Sequence, residues 1–254
     1  TWNTIVNSLQ ITENPIKIAM VGKYVTLADS YVSVNEALKH ASASINSSVS
    51  IDWIDSETLN GDIKKLSDYK GILVPGGFGT RGSEGIIETT SFALEQNIPF
   101  LGICFGFQLA AVSFARSVCK LEEANSTEIS VDTKHPIIGL LPEQEGISNM
   151  GGSLRLGANE INVNKNSLAH KIYNSEIIYK RHRHRYEFNT KYREQFQKNG
   201  MNFTAESDSG KRMEVLEVPS HKFFFGVQFH PEFSSRPGFP EQTFKAFVSA
   251  ASQN

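Results

Sequence analysis

Three groups of residues in this chain have types and spacing suited to covalent chemistry on a carbonyl centre. The first is Gly102-Ile103-Cys104-Phe105-Gly106-Phe107-Gln108. The apolar run Phe100 to Ile103 reads as a short buried strand, and helical apolar spacing continues from Gln108 to Val118. Cys104 therefore falls between strand and helix. Gly102 and Gly106 flank it, and residues without a side chain permit a sharp bend and close backbone approach. A side chain at such a bend projects above the carboxyl end of the strand. The start of the helix favours thiolate over thiol, and its free N–H groups point at the same space. This is the pattern of a nucleophile on an elbow. The competing reading is a small buried hydrophobe, as free cysteines commonly are. Cys119, near the end of the same helix, reads as packing only.

The second group is His230-Pro231-Glu232, at the end of the apolar strand Phe223 to Phe229. A nucleophilic thiol needs a base, and the base needs an orienter. In extended chain Glu232 projects to the same side as His230, and Pro231 keeps the segment out of helix. Glu232 can then accept from one ring nitrogen while the other faces Cys104. The third group is Pro75-Gly76-Gly77-Phe78-Gly79, where a bare backbone N–H can approach a reacting carbonyl. Alone it would be a plain glycine turn. No Gly-Lys-Ser/Thr follows, so it is not a nucleotide phosphate loop.

Arg181-His182-Arg183-His184-Arg185 is the least ordinary local sequence. In extended chain the arginines share one face and the histidines the other. The run allows a carboxylate grip by arginine, a His-x-His metal pair, a short nucleic-acid patch or a solvated edge strand.

The elements that must position these groups alternate in the first half. Strands are expected at Ile16–Val21, Val49–Ile54, Gly71–Val74 and Phe100–Ile103, with helices at Ser33–Ile45 and Ser83–Gln96. This predicts an α/β fold with a mostly parallel central sheet, helices on both faces and ligands at the carboxyl ends of the strands. Extra short strands follow at Pro136–Leu141, Ser153–Leu156, Ile177–Tyr179, Met201–Ala205 and Met213–Val218. Short helices are expected at Leu168–Tyr173 and Tyr192–Asn199, and a closing helix at Phe244–Ala251. With 254 residues, 39% of them hydrophobic, the chain can bury one large core without a disulfide or metal staple. Two cysteines and the lack of a signal pattern fit a reducing, cytoplasmic setting. The net charge of −2 speaks against nucleic acid as the main partner, and no apolar run is long enough to span a membrane.

With the elbow, the glycine loop and His230-Pro231-Glu232 together, the chain resembles the triad-type (class I) glutamine amidotransferases. Longer blocks narrow the likeness to the branch of that family that feeds ammonia to a UTP-aminating synthetase. They are Arg81-Gly82 after the glycine loop, Asn125-Ser126-Thr127-Glu128, Met150 to Gly157, Arg181 to Glu187, and Phe233 with Ser235-Arg236-Pro237. The likeness runs from about Ile16 to the C-terminus.

The resemblance implies that Cys104 attacks the side-chain amide of L-glutamine, that His230 moves protons and that Glu232 orients it. It assigns oxyanion N–H groups to Gly77 and Phe105. It assigns glutamine binding to Gly77, Phe105, Gly106, Phe107, Gln108, Glu128 and Arg185, with Glu128 on the ammonium and Arg185 on the carboxylate. No metal or cofactor is expected in this domain. ATP, magnesium and UTP are expected on an N-terminal synthetase domain, with GTP as activator and a homo-oligomer when full length. Residues 1–15, which begin without Met, then read as a lead-in from that domain, and 16–254 as the amidotransferase domain. Phe105 and Phe107 stand where relatives often carry Leu and Met, which bears on the pocket walls. A γ-glutamyl hydrolase of the same architecture is disfavoured by Asn125–Glu128 and Arg181–Tyr186. An idle nucleotide-sensing module is disfavoured by the intact Cys104, His230 and Glu232.

Overall fold

The computed structural model describes Val6 and residues 14–23, 28–59, 62–140 and 154–254. Most of the expected lead-in and the block Met150 to Ser153 lie outside the described residues. The first half follows the apolar pattern closely. Strands β1 (Ile16–Gly22), β2 (Val49–Asp55), β3 (Gly71–Val74) and β4 (Phe100–Ile103) alternate with helices α1 (Val32–Ser44), α2 (Ser83–Glu95) and α3 (Phe105–Ser117). Then come β5 (Ala124–Ser126), β6 (His135–Gly139), β7 (Arg155–Val163), α4 (Leu168–Tyr173), β8 (Ile177–His184) and β9 (Glu187–Phe188). The chain closes with α5 (Arg193–Lys198), β10 (Asn202–Ser207), β11 (Arg212–Glu217), β12 (Phe224–Val227) and α6 (Gln242–Ser252).

Among the described residues, nine strands form one sheet in the order β2-β1-β3-β4-β12-β11-β10-β7-β8. The first five are parallel. From β12 onward every pairing is antiparallel, so the extra strands of the second half extend the same sheet and make it mixed. β5, β6 and β9 form a small second sheet.

Alternation along β4 shows how the layers are built. Phe100 packs into the core shared with α2 and α3, while Leu101 and Ile103 join the core under α1 and α6. The sheet is thus buried on both faces, as apolar parallel strands require. Gly102 faces α3: a Cβ there would lie 2.8 Å from the backbone of Gly106. A Cβ on Gly106 would in turn lie 2.3 Å from the Val74 carbonyl oxygen. The paired glycines let the first turn of α3 press directly onto β3 and β4.

Several elements differ from the sequence expectation. β7 runs to Val163 rather than ending at Leu156, because it pairs with β8 from Arg155↔His184 to Asn162↔Ile177. That cross-strand pairing overrides the loop-like Gly157 and asparagines. β8 likewise continues beyond Tyr179 through His184. β12 stops at Val227, and Gln228 to His230 turn out of the sheet. Glu232 is not in extended chain. Pro231 to Ser234 form a 3-10 turn with proline at its start, a place proline suits because its missing N–H would be unpaired there anyway.

Gly106→Ala is expected to destabilise the fold by about 1–3 kcal/mol, since the contact is with backbone that cannot move aside. Gly139→Ala, where a Cβ meets only the Thr127 side chain at 3.7 Å, should stay within about 0.5 kcal/mol of the parent. Denaturant midpoints compare the two.

Candidate active site

The carboxyl ends of β3, β4 and β12, neighbours in the parallel half, bring together the three groups singled out in the sequence. β3 runs into Pro75-Gly76-Gly77, β4 into Cys104, and β12 into Gln228-Phe229-His230. Cys104 is the residue before α3 and has φ 52° and ψ −97°. Its N–H donates to the Val227 carbonyl at 2.7 Å, and its carbonyl accepts from Gln108 N–H at 3.1 Å. Gln108 N–H makes the first bond of that helix ladder. The amides of Phe105, Gly106 and Phe107 precede it and belong to the unladdered first turn.

His230 Nδ1 lies 2.8 Å from Glu232 Oε1, and both side chains are largely buried. His230 N–H donates to the Arg181 carbonyl at 2.8 Å, which fixes this histidine to β8, and the ring stacks on Phe233. A Cβ on Gly76 would lie 2.9 Å from His230 Cε1 and 3.8 Å from Cys104 Cβ, so the glycine lets the imidazole and the thiol share one corner. Burial works against a charged His230, but Cys104 and Glu232 outweigh it and raise the ring to about 11. An imidazolium beside the sulfur is therefore favoured.

The glycine loop lies against the start of α3: a Cβ on Gly77 would be 3.5 Å from the Phe105 ring. Gly79 N–H donates to Glu128 Oε1 at 2.9 Å. A residue without a sequence signal holds the other side. Lys23, buried just after β1, donates to the carbonyls of Phe78 and Gly79 and sits 4.1 Å from the centroid of the Phe105 ring. Burial lowers its pKa to about 8, against the opposing pull of Glu128.

A cavity of about 300 Å³ has Cys104 in its wall, with Gly77, Gln108, Glu128 and Arg185 around it. A second, of about 350 Å³, also has Cys104 in its wall and reaches His230 and Phe233. Gly106 and Phe107 line neither cavity. Phe107 is fully buried against Phe203, so its ring does not shape the pocket. Phe105 also lines neither cavity and is buried under Lys23. A larger cavity of about 540 Å³, near Asn164, Lys171 and Lys222, lies away from these groups. Its buried carboxylate, Glu217, is already satisfied by Leu168 N–H, Ala169 N–H and Thr204.

Alternation in β8 turns the arginines out and the histidines in, as the sequence pattern requires. The histidines meet carboxylates. His182 Nε2 lies 2.8 Å from Glu214, which also binds Arg155 at 2.6 Å. Burial works against the Glu214 carboxylate, but His182, Arg155 and Ser207 outweigh it and hold it at about 2. Burial pushes His184 down to about 3, so that ring is neutral. Burial and the charge of Glu214 push Glu187 up to about 7, despite Arg155 and Arg212. Among the described residues, no group of three or more His, Cys, Asp or Glu is placed to hold a metal ion.

The family model for class I glutamine amidotransferases matches residues 26–250. The chain belongs to the class I glutamine amidotransferases. Within that family it is similar to the CTP synthases. It is 51% identical over 250 residues to CTP synthase of Archaeoglobus fulgidus, covering 98% of this chain and 47% of that protein. It is 49% identical over 252 residues to CTP synthase of Halalkalibacterium halodurans, again over 98% of this chain and 47% of that protein. The chain thus spans about half the length of the curated relatives it matches. The structure superposes on the glutaminase domain of Trypanosoma brucei CTP synthase, solved with bound acivicin, with a TM-score of 0.88. The two share 37% identity, with 94% of each chain covered. This amidotransferase domain therefore has both the sequence and the fold of a glutamine-hydrolysing unit.

Two measurements follow from the site. Burial raises the Cys119 thiol to about 11, whereas Cys104 sits beside an imidazolium. Brief exposure to a glutamine-like electrophile should label Cys104 at least tenfold faster, and peptide mass mapping reads the ratio. Label confined to Cys119 would remove Cys104 from its role. Glu187 keeps its proton in the folded chain between its ordinary 4.5 and about 7, while the unfolded chain releases it. Its contribution is thus present below pH 4.5 and lost as pH rises to 7. Glu187→Gln should flatten the fall in stability over that window by about 1–3 kcal/mol, measured as unfolding free energy against pH.

Proposed function

We propose that this domain hydrolyses L-glutamine to glutamate and ammonia through a thioester on Cys104, with His230 as proton carrier and Glu232 as its orienter. The observation that carries the reading is the meeting of Cys104, the His230–Glu232 pair and the glycine loop at three adjacent strand ends, with a carboxylate and a guanidinium in the wall of the same cavity. The Cys104 thiolate attacks the carboxamide carbon. The oxyanion that forms is held by the N–H groups of Gly77 and Phe105. His230 passes its proton to the departing nitrogen, and ammonia leaves. The same ring then takes a proton from water, which attacks the thioester and releases glutamate and the thiolate. Glu232, acceptor at Nδ1, holds the ring with Nε2 towards the sulfur.

Glu128 takes the ammonium of glutamine and Arg185 its carboxylate, the two charges being complementary and on the same cavity. Both donors of the Gln108 amide nitrogen are engaged, by the Tyr186 carbonyl and Gln228 Oε1, so any part it plays in binding falls to its oxygen. The relatives are CTP synthases about twice as long. In the whole protein, ammonia then passes to an N-terminal synthetase domain that aminates UTP with ATP and magnesium, under activation by GTP. The whole protein is cytoplasmic and homo-oligomeric. Residues 1–15 are the link to that domain, and residues 16–254 are the amidotransferase. No step in the glutaminase half is routed through a metal.

An ammonia-release assay on glutamine, comparing the chain with Cys104→Ala, tests the reading. Turnover is expected to vanish in the variant. Ammonia release that persists in Cys104→Ala contradicts it. Glu128→Ala and Arg185→Ala should mainly weaken glutamine binding, each by about 1.5–3 kcal/mol, or roughly ten- to a hundredfold. His230→Ala should mainly lower kcat. Initial rates over a range of glutamine concentrations separate these effects, and an unchanged KM in Arg185→Ala would assign that residue a structural role.

A further inference from the structure

We infer that Gln228 is a positioning residue for the nucleophile: its side-chain amide donates a hydrogen bond to Cys104 Sγ and favours the thiolate. The inference rests on the reading of Cys104 as nucleophile. Gln228 is the first residue after β12 and is fully buried. Its Nε2 lies 3.8 Å from Sγ, within the longer reach of a sulfur acceptor.

The orientation of that amide is determined by its neighbours. Gln108 Nε2 donates to the Tyr186 carbonyl at 3.0 Å and to Gln228 Oε1 at 3.3 Å. A backbone carbonyl can only accept, so Gln108 must turn its nitrogen that way. The same nitrogen then requires an oxygen from Gln228, and the Gln228 nitrogen is left facing sulfur. The relay starts from a backbone group and ends at the nucleophile, and Gln108, Gln228 and Cys104 are all buried.

The sulfur has a second neighbour, the Arg183 carbonyl at 4.0 Å, which can only accept and so supports the thiol. Gln228 can only donate through Nε2 and so supports the thiolate. The ionisable groups around the same space are His230 and Glu232 after β12, Arg183 and His184 at the end of β8, Arg185 and Tyr186 just after it, Glu128 after β5 and Tyr31 before α1. Gln228 differs from all of them in having no proton to lose. Sulfur carries negative charge twice in each turnover, at attack and on release from the thioester. On both occasions His230 is exchanging protons, while the amide is unchanged.

The test compares the parent chain with Q228M, which keeps volume but removes the donor, and Q108M, which removes the group that orients it. The first readout is the rate of Cys104 alkylation by iodoacetamide against pH, with the labelled peptide identified by mass. The second is the split of kcat against KM for ammonia release, and thermal melting reports the fold. In Q228M the alkylation midpoint should rise by about one pH unit, a tenfold loss of thiolate at fixed pH below it. Its kcat should fall while KM stays within about twofold. Q108M should move the midpoint the same way by less, and it carries the test if Q228M does not fold. A midpoint unchanged in a folded variant whose Cys104 is still the labelled residue overturns the inference and leaves the nucleophile reading standing. Label on another residue in the parent chain overturns the nucleophile reading itself.

Discussion

The backbone of Cys104 is the constraint on which the site depends. A non-glycine residue at φ 52° and ψ −97° sits in a sparsely populated region and costs about 1–3 kcal/mol unless its surroundings hold it there. The surroundings do so from three sides. β12 binds its N–H, the first turn of α3 binds its carbonyl, and the Gly102–Gly106 contact brings helix and sheet together without intervening side chains. The strain lifts the thiol out of the strand line to the edge of both cavities, beside the unladdered amides of α3. A relaxed residue at this position would continue the strand and turn its side chain into the sheet.

The mixed sheet explains how distant segments reach that point. The parallel half places the glycine loop, Cys104 and His230 at adjacent strand ends. The antiparallel half then brings β8 to the other side of the site. The backbone of β8 accepts from His230 N–H through Arg181, and Arg183 lines both cavities. Behind β8, Glu214 forms a buried ion pair with Arg155 and a hydrogen bond with His182. Breaking one partner of such a pair leaves an uncompensated charge, so its main effect is to fix where the strand lies. Lys23 and Glu128 play a comparable part for the glycine loop, gripping it through backbone carbonyls and one N–H.

Much of this was legible in the residues because hydrophobic period and glycine placement carry it. β3 and β4 fall at the expected residues and α1 and α2 within one position, since apolar runs bounded by glycine and polar turns leave little choice; α3 ends within one position but starts three residues earlier than expected, at Phe105. The elbow, the His-Pro-Glu segment and the glycine loop were legible through residue type and spacing. The second half was harder to read. β5 and β9 are only three and two residues long, too short for any period. β7 contains glycine and asparagine and owes its length to β8. The His230–Glu232 contact was expected from extended geometry but arises from a 3-10 turn. Lys23 and Gln228 carried no local signal; what marks them is their place directly after β1 and β12, at strand ends where ligands gather in such sheets.

The central claim is that the strained Cys104 becomes covalently attached to the glutamyl group during turnover. The most direct measurement is rapid acid quench of the working domain with glutamine, followed by peptide mass spectrometry. A glutamyl thioester on the peptide that contains Cys104, forming and decaying at rates compatible with ammonia release, is the expected result. Ammonia release without any adduct on Cys104, or with the adduct on a different side chain, would contradict the account.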